Sequence, residues 1–499
     1  MARTAKKKSV VKKGSSPRRR RAVSAVARLP QTPIVAVPPT PVAAPPTPAK
    51  SAGSSAGYRA RIRMYRQGLG DCFLVSLPRN DGSSRPFYLM IDCGVVLGTE
   101  DPGTIMAKVI EDIVQTTGGK VDLLVATHEH WDHLSGFVQA KTSFDKLQIG
   151  QVWLAWTEDP NDDLTKKLKA EKGQALAALH MGLSHLQLAG DAEGADQLGS
   201  ILEFFGATKG ATTGDALKNV RAKVNQPRYF DPKKDDPVVP PGTDARFYVL
   251  GPPHDEKWLR KINPSAKDKE TYGLVSGLQM FMDGTASAFA ETDEGRPFDR
   301  QYEIPFAIAQ AAPELEFFRK YYWQPLAEAS DAWRRIDGDW MDGVSEMALQ
   351  LDSLTNNTSL VLAIELEPGG DVLLFAADAQ VGNWLSWQEL SWQVNGKAVK
   401  ATDLLNRAIF YKVGHHGSHN ATLKAEGLQL MTSLRVAMIP VNHDMAVKKR
   451  WGKMPLDELV DALKQQARGV VLRVDDPAMP ASRENVVEGP GKLFYEIAF

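Results

Sequence analysis

The chain has 499 residues, and its 60 basic and 60 acidic side chains balance overall but are divided between two regions of opposite net charge. Residues 1–57 contain twelve Lys or Arg and no acid, which leaves 48 basic against 60 acidic residues after them, a net charge of about −12. No run approaches the roughly 20 apolar residues of a membrane helix, and two cysteines exclude a disulfide framework. We therefore expect a soluble cytoplasmic protein without a membrane partner.

The first 57 residues combine clusters of Lys and Arg with a segment rich in Pro, Ala and Thr at residues 30–48. Such a composition cannot bury a core, so we predict that residues 1–57 are a disordered tail and that residues 58–499 form the folded domain. A basic tail of this kind can contact nucleic acid or an acidic partner. A solvated leader with no specific partner is the simpler alternative.

The most informative motif, HEHWDH, directly follows the apolar residues 121–127, which predict a buried strand. His128 and His130 are two residues apart, so an extended backbone directs both to one side, where they can share one ion. Asp132 and His133 reach past it towards a second ion. Three imidazoles and a carboxylate in so short a stretch suit zinc, or manganese or iron where oxygen ligands dominate.

Residues 137–355 separate this motif from the remaining polar clusters. Helical periodicity predicts a helix at residues 162–188, and apolar residues at 246–250 predict a strand. Aromatic and basic residues interleave at 317–323, as they do in proteins that stack single-stranded bases. Aromatic residues at helical spacing more often pack a helix against its own core, and that is the alternative interpretation.

Two further apolar runs, at residues 372–377 and 408–411, also end in polar side chains. The first run delivers Asp378, whose two carboxylate oxygens can bridge two cations. The second leads to His415, His416 and His419. Six of the ten histidines therefore lie in two loops at strand ends, which disfavours isolated surface histidines.

The order His-x-His-x-Asp-His, strand-end Asp, strand-end His resembles the metallo-β-lactamase superfamily. Other strings are similar to the soluble hydrolase domain of ComEC-type competence proteins: GLGDC at 68–72, IDCG at 91–94, NNTSLVL at 356–362 and HHGS at 415–418. The resemblance covers residues 58–136 and 354–499. It implies an α/β fold, a four-layer αββα sandwich, with residues 137–355 as a large, mainly helical insertion.

The resemblance implies a centre of two divalent metal ions, zinc or manganese. It assigns His128 and His130 to one ion, assigns Asp132 and His133 to the other, and makes Asp378 the bridge. One of His415 and His416 would complete the second ion site, and the sequence leaves open which. The remaining implied site residues comprise the carboxylates behind the ligands and a serine beside the substrate: Asp71, Asp92 and Ser418.

The chain departs from the general superfamily at one ligand position. A third imidazole for the first ion is expected just before the strand that precedes the bridging acid, and this place holds Asn356 and Asn357. An amide oxygen is a harder and weaker ligand than imidazole, so we expect the first ion to be held loosely or to be manganese. His254 could fold back to replace the missing imidazole.

The resemblance thus predicts a binuclear hydrolase of phosphodiester bonds, similar to a nuclease, with Asp132 and His416 at the reacting centre and DNA as one substrate. The acidic body opposes DNA, because proteins that follow a phosphate backbone normally present a basic surface. A small phosphodiester or another ester is therefore an alternative substrate. A metal-binding interaction module with a vestigial site is the alternative from outside the enzymes. The sequence does not indicate the oligomeric state.

Overall fold

The computed structural model describes residues 57–189, 192–205, 210–262, 316–317, 339–449, 451, 453–468, 470–477 and 485–499. The tail predicted to be disordered lies outside these residues apart from Gly57, and so does most of the aromatic and basic segment at 317–323. Within the described residues, no helix is long and apolar enough to cross a membrane.

Most strands are short and several are buried along their whole length, as strands covered on both faces must be. In chain order, the described strands are β1 (Arg61–Tyr65), β2 (Phe73–Leu77), β3 (Phe87–Ile91), β4 (Lys120–Val125), β5 (Gln148–Ala155), β6 (Arg228–Phe230), β7 (Arg246–Gly251), β8 (Val361–Glu365), β9 (Val372–Phe375), β10 (Ser391–Val394), β11 (Lys397–Lys400), β12 (Ala408–Lys412), β13 (Val436–Ile439), β14 (Val471–Arg473), β15 (Val486–Glu488) and β16 (Phe494–Ala498).

These strands form two large sheets and one hairpin. The larger sheet has the order β15-β16-β1-β2-β3-β4-β5-β6, the smaller has the order β14-β13-β12-β9-β8-β7, and β10 pairs with β11. In the larger sheet β3, β4, β5 and β6 are parallel, and in the smaller sheet β9, β12, β13 and β14 are parallel. Because parallel strands end at the same edge of a sheet, the residues that follow β3 and β4 are neighbours, as are those that follow β9 and β12.

Helices connect the strands. In chain order, the described α-helices are α1 (Pro102–Thr117), α2 (Trp131–Leu134), α3 (Gly136–Gln139), α4 (Lys141–Asp145), α5 (Asp163–Ala189), α6 (Ala192–Leu202), α7 (Thr213–Arg221), α8 (Glu256–Leu259), α9 (Asp339–Asn356), α10 (Val381–Trp387), α11 (Ala401–Asn406), α12 (His443–Lys448) and α13 (Asp457–Gln466).

Three apolar clusters hold the sheets and helices together. One lies between the two sheets, where the rings of Phe73 and Phe375 have centroids 5.8 Å apart. Another joins the smaller sheet to α10, α11 and α13, and the third joins the larger sheet to α1 and α7. Each fully buried large apolar side chain contributes about 1.5–3 kcal/mol relative to exposure. The fold is therefore mixed α/β, with helices packed on the sheets.

The elements predicted around the motifs are confirmed. The runs at 121–127, 246–250, 372–377 and 408–411 coincide with β4, β7, β9 and β12 to within two residues at each end, and the helix predicted at 162–188 is α5. Residues 137–355, predicted as an insertion, also supply β5 and β6 to the larger sheet and β7 to the smaller one. This segment is thus partly integral to the sheets, while α5, α6 and α9 share a small apolar cluster of their own.

Candidate metal centre

Buried polar side chains gather beyond the carboxyl ends of four strands. Asp92 directly follows β3, and His128, Asp378 and His416 follow β4, β9 and β12 within a few residues. None of the four is more than 2 % exposed. Because β3 and β4 are parallel in one sheet and β9 and β12 in the other, their ends bring the polar side chains together at one edge of the fold.

The backbone around this cluster is left-handed at several residues that are not glycine. The φ angles are 54° at Asp92, 46° at Ala377, 40° at His415 and 51° at His416. Each such residue costs roughly 1–3 kcal/mol and persists only where the surrounding structure holds it. Backbone strain of this kind is concentrated at functional sites.

Two glycines allow neighbouring loops to approach the HEHWDH motif closely. A Cβ atom at Gly94 would lie 2.3 Å from the backbone oxygen of Asp132 and 2.5 Å from the nitrogen of His133. A Cβ atom at Gly70 would lie 2.6 Å from the same oxygen. The backbone N–H of Asp71 donates to that oxygen at 3.0 Å. The GLGDC and IDCG strings therefore support the motif by close backbone packing.

A group of two carboxylates and two imidazoles could hold a metal ion. It consists of Asp71, His133, Asp378 and His416, all buried, whose ligand atoms lie within 4.8 Å of one another. His133 Nε2 is 3.2 Å and His416 Nε2 is 3.6 Å from Asp378 Oδ2. Asp132 Oδ2 adjoins the group at 2.9 Å from His416 Nε2.

The hydrogen bonds of the two imidazoles indicate which nitrogens face an ion. His133 Nδ1 lies 2.7 Å from Asp92 Oδ2, and His416 Nδ1 lies 2.8 Å from the carbonyl oxygen of Pro440. Both acceptors take a hydrogen from the ring, so each imidazole carries its proton on Nδ1. When either ring is neutral, its lone pair is therefore on Nε2.

This orientation distinguishes the two carboxylates that flank the rings. Asp71 lies on the Nδ1 side, 3.9 Å from the Nδ1 atom of His133 and 3.7 Å from that of His416. Asp132 lies on the Nε2 side, with its Oδ2 4.0 Å from His133 Nε2. The ligand atoms of Asp71 are close enough to count it in the four-residue group with His133, Asp378 and His416. The ring orientation nevertheless favours Asp132 as the ligand and leaves Asp71 behind the rings.

A second set of donor atoms converges at His128 and His130. His128 Nε2 is 3.0 Å from His130 Nδ1 and 3.1 Å from Asn356 Oδ1. The amide nitrogen of Asn356 donates to Asp352 Oδ2 at 3.2 Å and lies 3.2 Å from His415 Nε2. Because acceptors face the amide nitrogen, the amide oxygen is directed at His128.

Three residues predicted near the site do not join either set. The side-chain amide of Asn357 donates to the carbonyl oxygen of Leu259 at 2.8 Å, so it connects loops. The His415 side chain contacts Asn356, and its backbone N–H donates to Asp378 Oδ1 at 3.1 Å, which leaves His416 as the histidine whose imidazole belongs to the four-residue group. Ser418 is buried and donates to the side chain of Asn420 at 3.3 Å.

His254 is held away from both sets of donors. Its Nδ1 lies 2.6 Å from Asp231 Oδ2, its Nε2 lies 3.3 Å from Asp162 Oδ2, and its ring stacks on Trp156 with centroids 3.9 Å apart. The hypothesis that His254 replaces the missing imidazole is therefore wrong. It failed because acids in two distant loops, which sequence reasoning could not bring together, engage this ring.

The pKa values of the buried histidines shift in two opposite directions. Burial lowers the pKa of His128 well below its ordinary value and that of His130 to about 3. Burial acts in the same direction on His133 and His416, but the facing carboxylates, Asp378 foremost, outweigh it and raise the pKa of both rings. Protons on these two rings balance the carboxylates, and a divalent cation could replace them.

Sequence reasoning missed Lys412, the last residue of β12. Its side chain is 1 % exposed, and Nζ lies 2.5 Å from Asp71 Oδ2 and 3.1 Å from Asp378 Oδ1. These carboxylates raise its pKa despite burial, so the side chain is a fixed ammonium inside the cluster. A lysine that ends an otherwise apolar strand was the available signal.

Asp352 on α9 was also missed. It is 6 % exposed, and its Oδ1 lies 3.6 Å from His130 Nε2. Burial, together with the charges of Asp132 and Asp378, raises the pKa of Asp352 well above the ordinary range. Its position one helical turn before Asn356 was the only signal in the sequence.

No family model matches the chain, and no curated protein matches it. The resemblance stated from the motifs therefore rests on those motifs. The arrangement of the side chains is an independent basis for a functional proposal.

Proposed function

We propose that this chain is a hydrolase that uses two divalent metal ions and belongs to the metallo-β-lactamase fold, close to the hydrolase domain of ComEC-type proteins. The observation that carries the proposal is the presence of two adjacent sets of converging imidazole nitrogens. One set contains His128 and the other His133, and the centroids of these two rings are 4.2 Å apart. The paired sheets with helices packed on them support the αββα sandwich of that fold.

The donor atoms fit two cations. Asp71 Oδ1 and Asp132 Oδ1 are buried and accept no hydrogen bond from the described residues. Asp92 and Asp378 add two further buried carboxylates, and the fixed cation that faces this group is Lys412. Without metal, the protons on His133 and His416 are needed to balance these carboxylates as well, and bound cations could replace those protons.

His128, His130 and Asn356 would hold the first ion. The second ion would be held by two imidazole nitrogens and two carboxylates that face each other, those of His133, His416, Asp132 and Asp378. Imidazoles with carboxylates suit zinc, whereas the amide oxygen of Asn356 makes manganese a competitor at the first position. Asp378 Oδ2 faces the Nε2 atoms of the second set, so Asp378 would hold the second ion, and the resemblance implies that it would also serve the first.

Two such ions, when bound, supply an activated water molecule and stabilise negative charge at a phosphoryl or acyl centre. The chain's own residues fix the geometry. Lys412 holds Asp378 Oδ1 at 3.1 Å, which turns Oδ2 towards the imidazoles. Asp92 accepts the N–H of His133 at 2.7 Å and the backbone N–H of Thr127 at 2.8 Å, so it ties the ligand loop to β3.

A phosphodiester is the substrate class that this centre supports best. Two adjacent cations suit the two oxygens that enter and leave phosphorus. The net charge of about −12 in residues 58–499 favours a small diester over a long DNA strand, because a nucleic acid gains affinity from a basic surface. Hydrolysis of DNA is the second candidate, favoured by the resemblance to ComEC-type proteins.

The experiment uses full-length protein stripped of metal and reloaded with zinc or manganese. Turnover of bis(4-nitrophenyl) phosphate, a cyclic dinucleotide, single-stranded DNA and duplex DNA is compared. We expect turnover that a chelator abolishes and that Asp132→Ala abolishes without loss of helical circular dichroism. His180→Ala, in α5, is the matched control and should retain activity. Metal-independent turnover, full activity of Asp132→Ala, or failure to cleave any diester would refute the proposal.

A further inference from the structure

Helix α9 directs two buried polar side chains into the first set of donor atoms. Asp352 and Asn356 are four residues apart and therefore lie on one face of the helix. Asn356 is fully buried and Asp352 is 6 % exposed. A helix seldom buries a carboxylate one turn before its end unless the carboxylate has a partner.

The two oxygens of Asp352 face different groups. Oδ2 accepts a hydrogen bond from the Asn356 amide at 3.2 Å. Oδ1 accepts no hydrogen bond from the described residues and lies 3.6 Å from His130 Nε2. A shift of less than about 1 Å would bring these two atoms to hydrogen-bond distance.

The ring of His130 has a preferred proton position if it binds an ion with the nitrogen that faces His128. That nitrogen is Nδ1, which is 3.0 Å from His128 Nε2. A neutral imidazole that ligates through Nδ1 carries its hydrogen on Nε2, and a carboxylate that accepts this hydrogen fixes the ring and increases its basicity. Asp352 is the carboxylate on that side of His130.

We propose that Asp352 is the positioning residue of the first metal ion, an inference that rests on the proposed two-ion centre. One carboxylate oxygen holds the Nε2–H of His130, and the other holds the amide of Asn356 so that its oxygen faces His128. A single side chain thus orients two of the three ligands. Because Asp352 lies on α9, at the end of residues 137–355, this segment is part of the metal centre, and retention of the first ion depends on the docking of α9.

The test compares wild type with Asp352→Asn and Asp352→Leu in the full-length protein. Zinc is added stepwise to metal-free protein in competition with a chromophoric chelator. Loss of such an orienting carboxylate typically weakens metal binding about 10- to 100-fold, and we expect this loss for one of the two ions only. Glu365→Gln is the matched control, since Glu365 is a buried acid at the far end of β8, held by Arg407 at 2.9 Å. It should leave both zinc affinities unchanged.

Nitrogen-15 spectra of zinc-loaded wild type give a second readout that needs no variant. We expect His130 to bind zinc through Nδ1 and to carry its hydrogen on Nε2, and His128 to bind through Nε2. Binding of His130 through Nε2 would overturn the inference, as would full retention of both ions by both Asp352 variants. Wild type that binds no zinc would instead refute the proposed two-ion centre, so the two failures are distinguishable.

Discussion

At the residue scale, the buried imidazoles and the buried carboxylate of Asp132 stabilise the fold in different pH ranges. His133 and His416 have raised pKa values because carboxylates face them, and these rings in turn hold the pKa of Asp132 at about 2 against the effect of burial. Raised histidine pKa values stabilise the metal-free fold below the unfolded value of about 6.5, and this contribution is lost as the pH rises through the folded values. The lowered pKa of Asp132 adds stability above about pH 4 that is lost towards pH 2.

Zinc should therefore stabilise the protein more at alkaline than at acidic pH. Zinc requires neutral imidazoles, so it must displace the protons of His133 and His416 wherever the pH lies below the raised pKa values of these rings. We expect the difference in Tm between zinc-loaded and chelator-treated protein to grow as the pH rises from about 6.5, the ordinary histidine pKa, through the raised pKa values of these rings. His180→Gln should show the same trend. A difference that is constant or that shrinks with pH would contradict this account.

The substitution Asn356→His should tighten the first ion. Asn356 Oδ1 lies 3.1 Å from His128 Nε2, and an imidazole nitrogen there would be a better zinc ligand than an amide oxygen. We expect zinc affinity at the weaker of the two sites to rise about tenfold, and manganese to compete less well than in wild type. The same substitution at Asn357, which binds the carbonyl oxygen of Leu259, serves as the control. Equal zinc retention by Asn356→His and wild type would argue against Asn356 as a ligand.

The sequence was sufficient to nominate most side chains of the cluster, because the ligands follow strands and are close in sequence to each other. It could not choose between His415 and His416, since the choice depends on two consecutive left-handed residues. For Asp352 it offered only one signal, the position of this residue one helical turn before Asn356. That carboxylate reaches His130 across 222 positions of sequence only because α9 packs beside the motif.

At the element scale, loops that hold no ligand determine whether the ligand loop can adopt its position. The strands could be predicted because their apolar runs are short and end in polar residues. The pairing of β5, β6 and β7 with the two sheets could not be, because it depends on contacts across the segment at 137–355. The approach of the Gly94 loop to Asp132 is likewise visible only in three dimensions.

The substitution Gly94→Ala should weaken metal binding. The new Cβ would lie 2.3 Å from the backbone of Asp132, so the ligand loop must move. We expect a loss of about 1–3 kcal/mol in the free energy of unfolding and weaker zinc retention. In Gly173→Ala, at an exposed position of α5, the new Cβ meets no atom within 4 Å, and this control should be more stable by up to about 1 kcal/mol. Unchanged zinc retention in Gly94→Ala would show that the loop tolerates displacement.

At the scale of the whole molecule, the basic segment and the proposed metal ligands lie in different parts of the chain. The basic residues 1–57 precede an acidic body, and the proposed ligands lie between His128 and His416. Deleting residues 1–57 should therefore leave turnover of a small diester unchanged, while any affinity for DNA that depends on the tail should fall and lose its salt dependence. A collapse of small-diester turnover after the deletion would show that the tail contributes to the active site.

The central claim is that the buried cluster binds two metal ions. Stepwise titration of metal-free, full-length protein with zinc, read as bound ions per chain, tests it most directly. The account predicts two ions of unequal affinity in wild type and loss of binding in Asp378→Asn, because the Asp378 carboxylate faces both His133 and His416. A wild type that retains no zinc, or an Asp378→Asn variant that binds two ions as tightly as wild type, would contradict it.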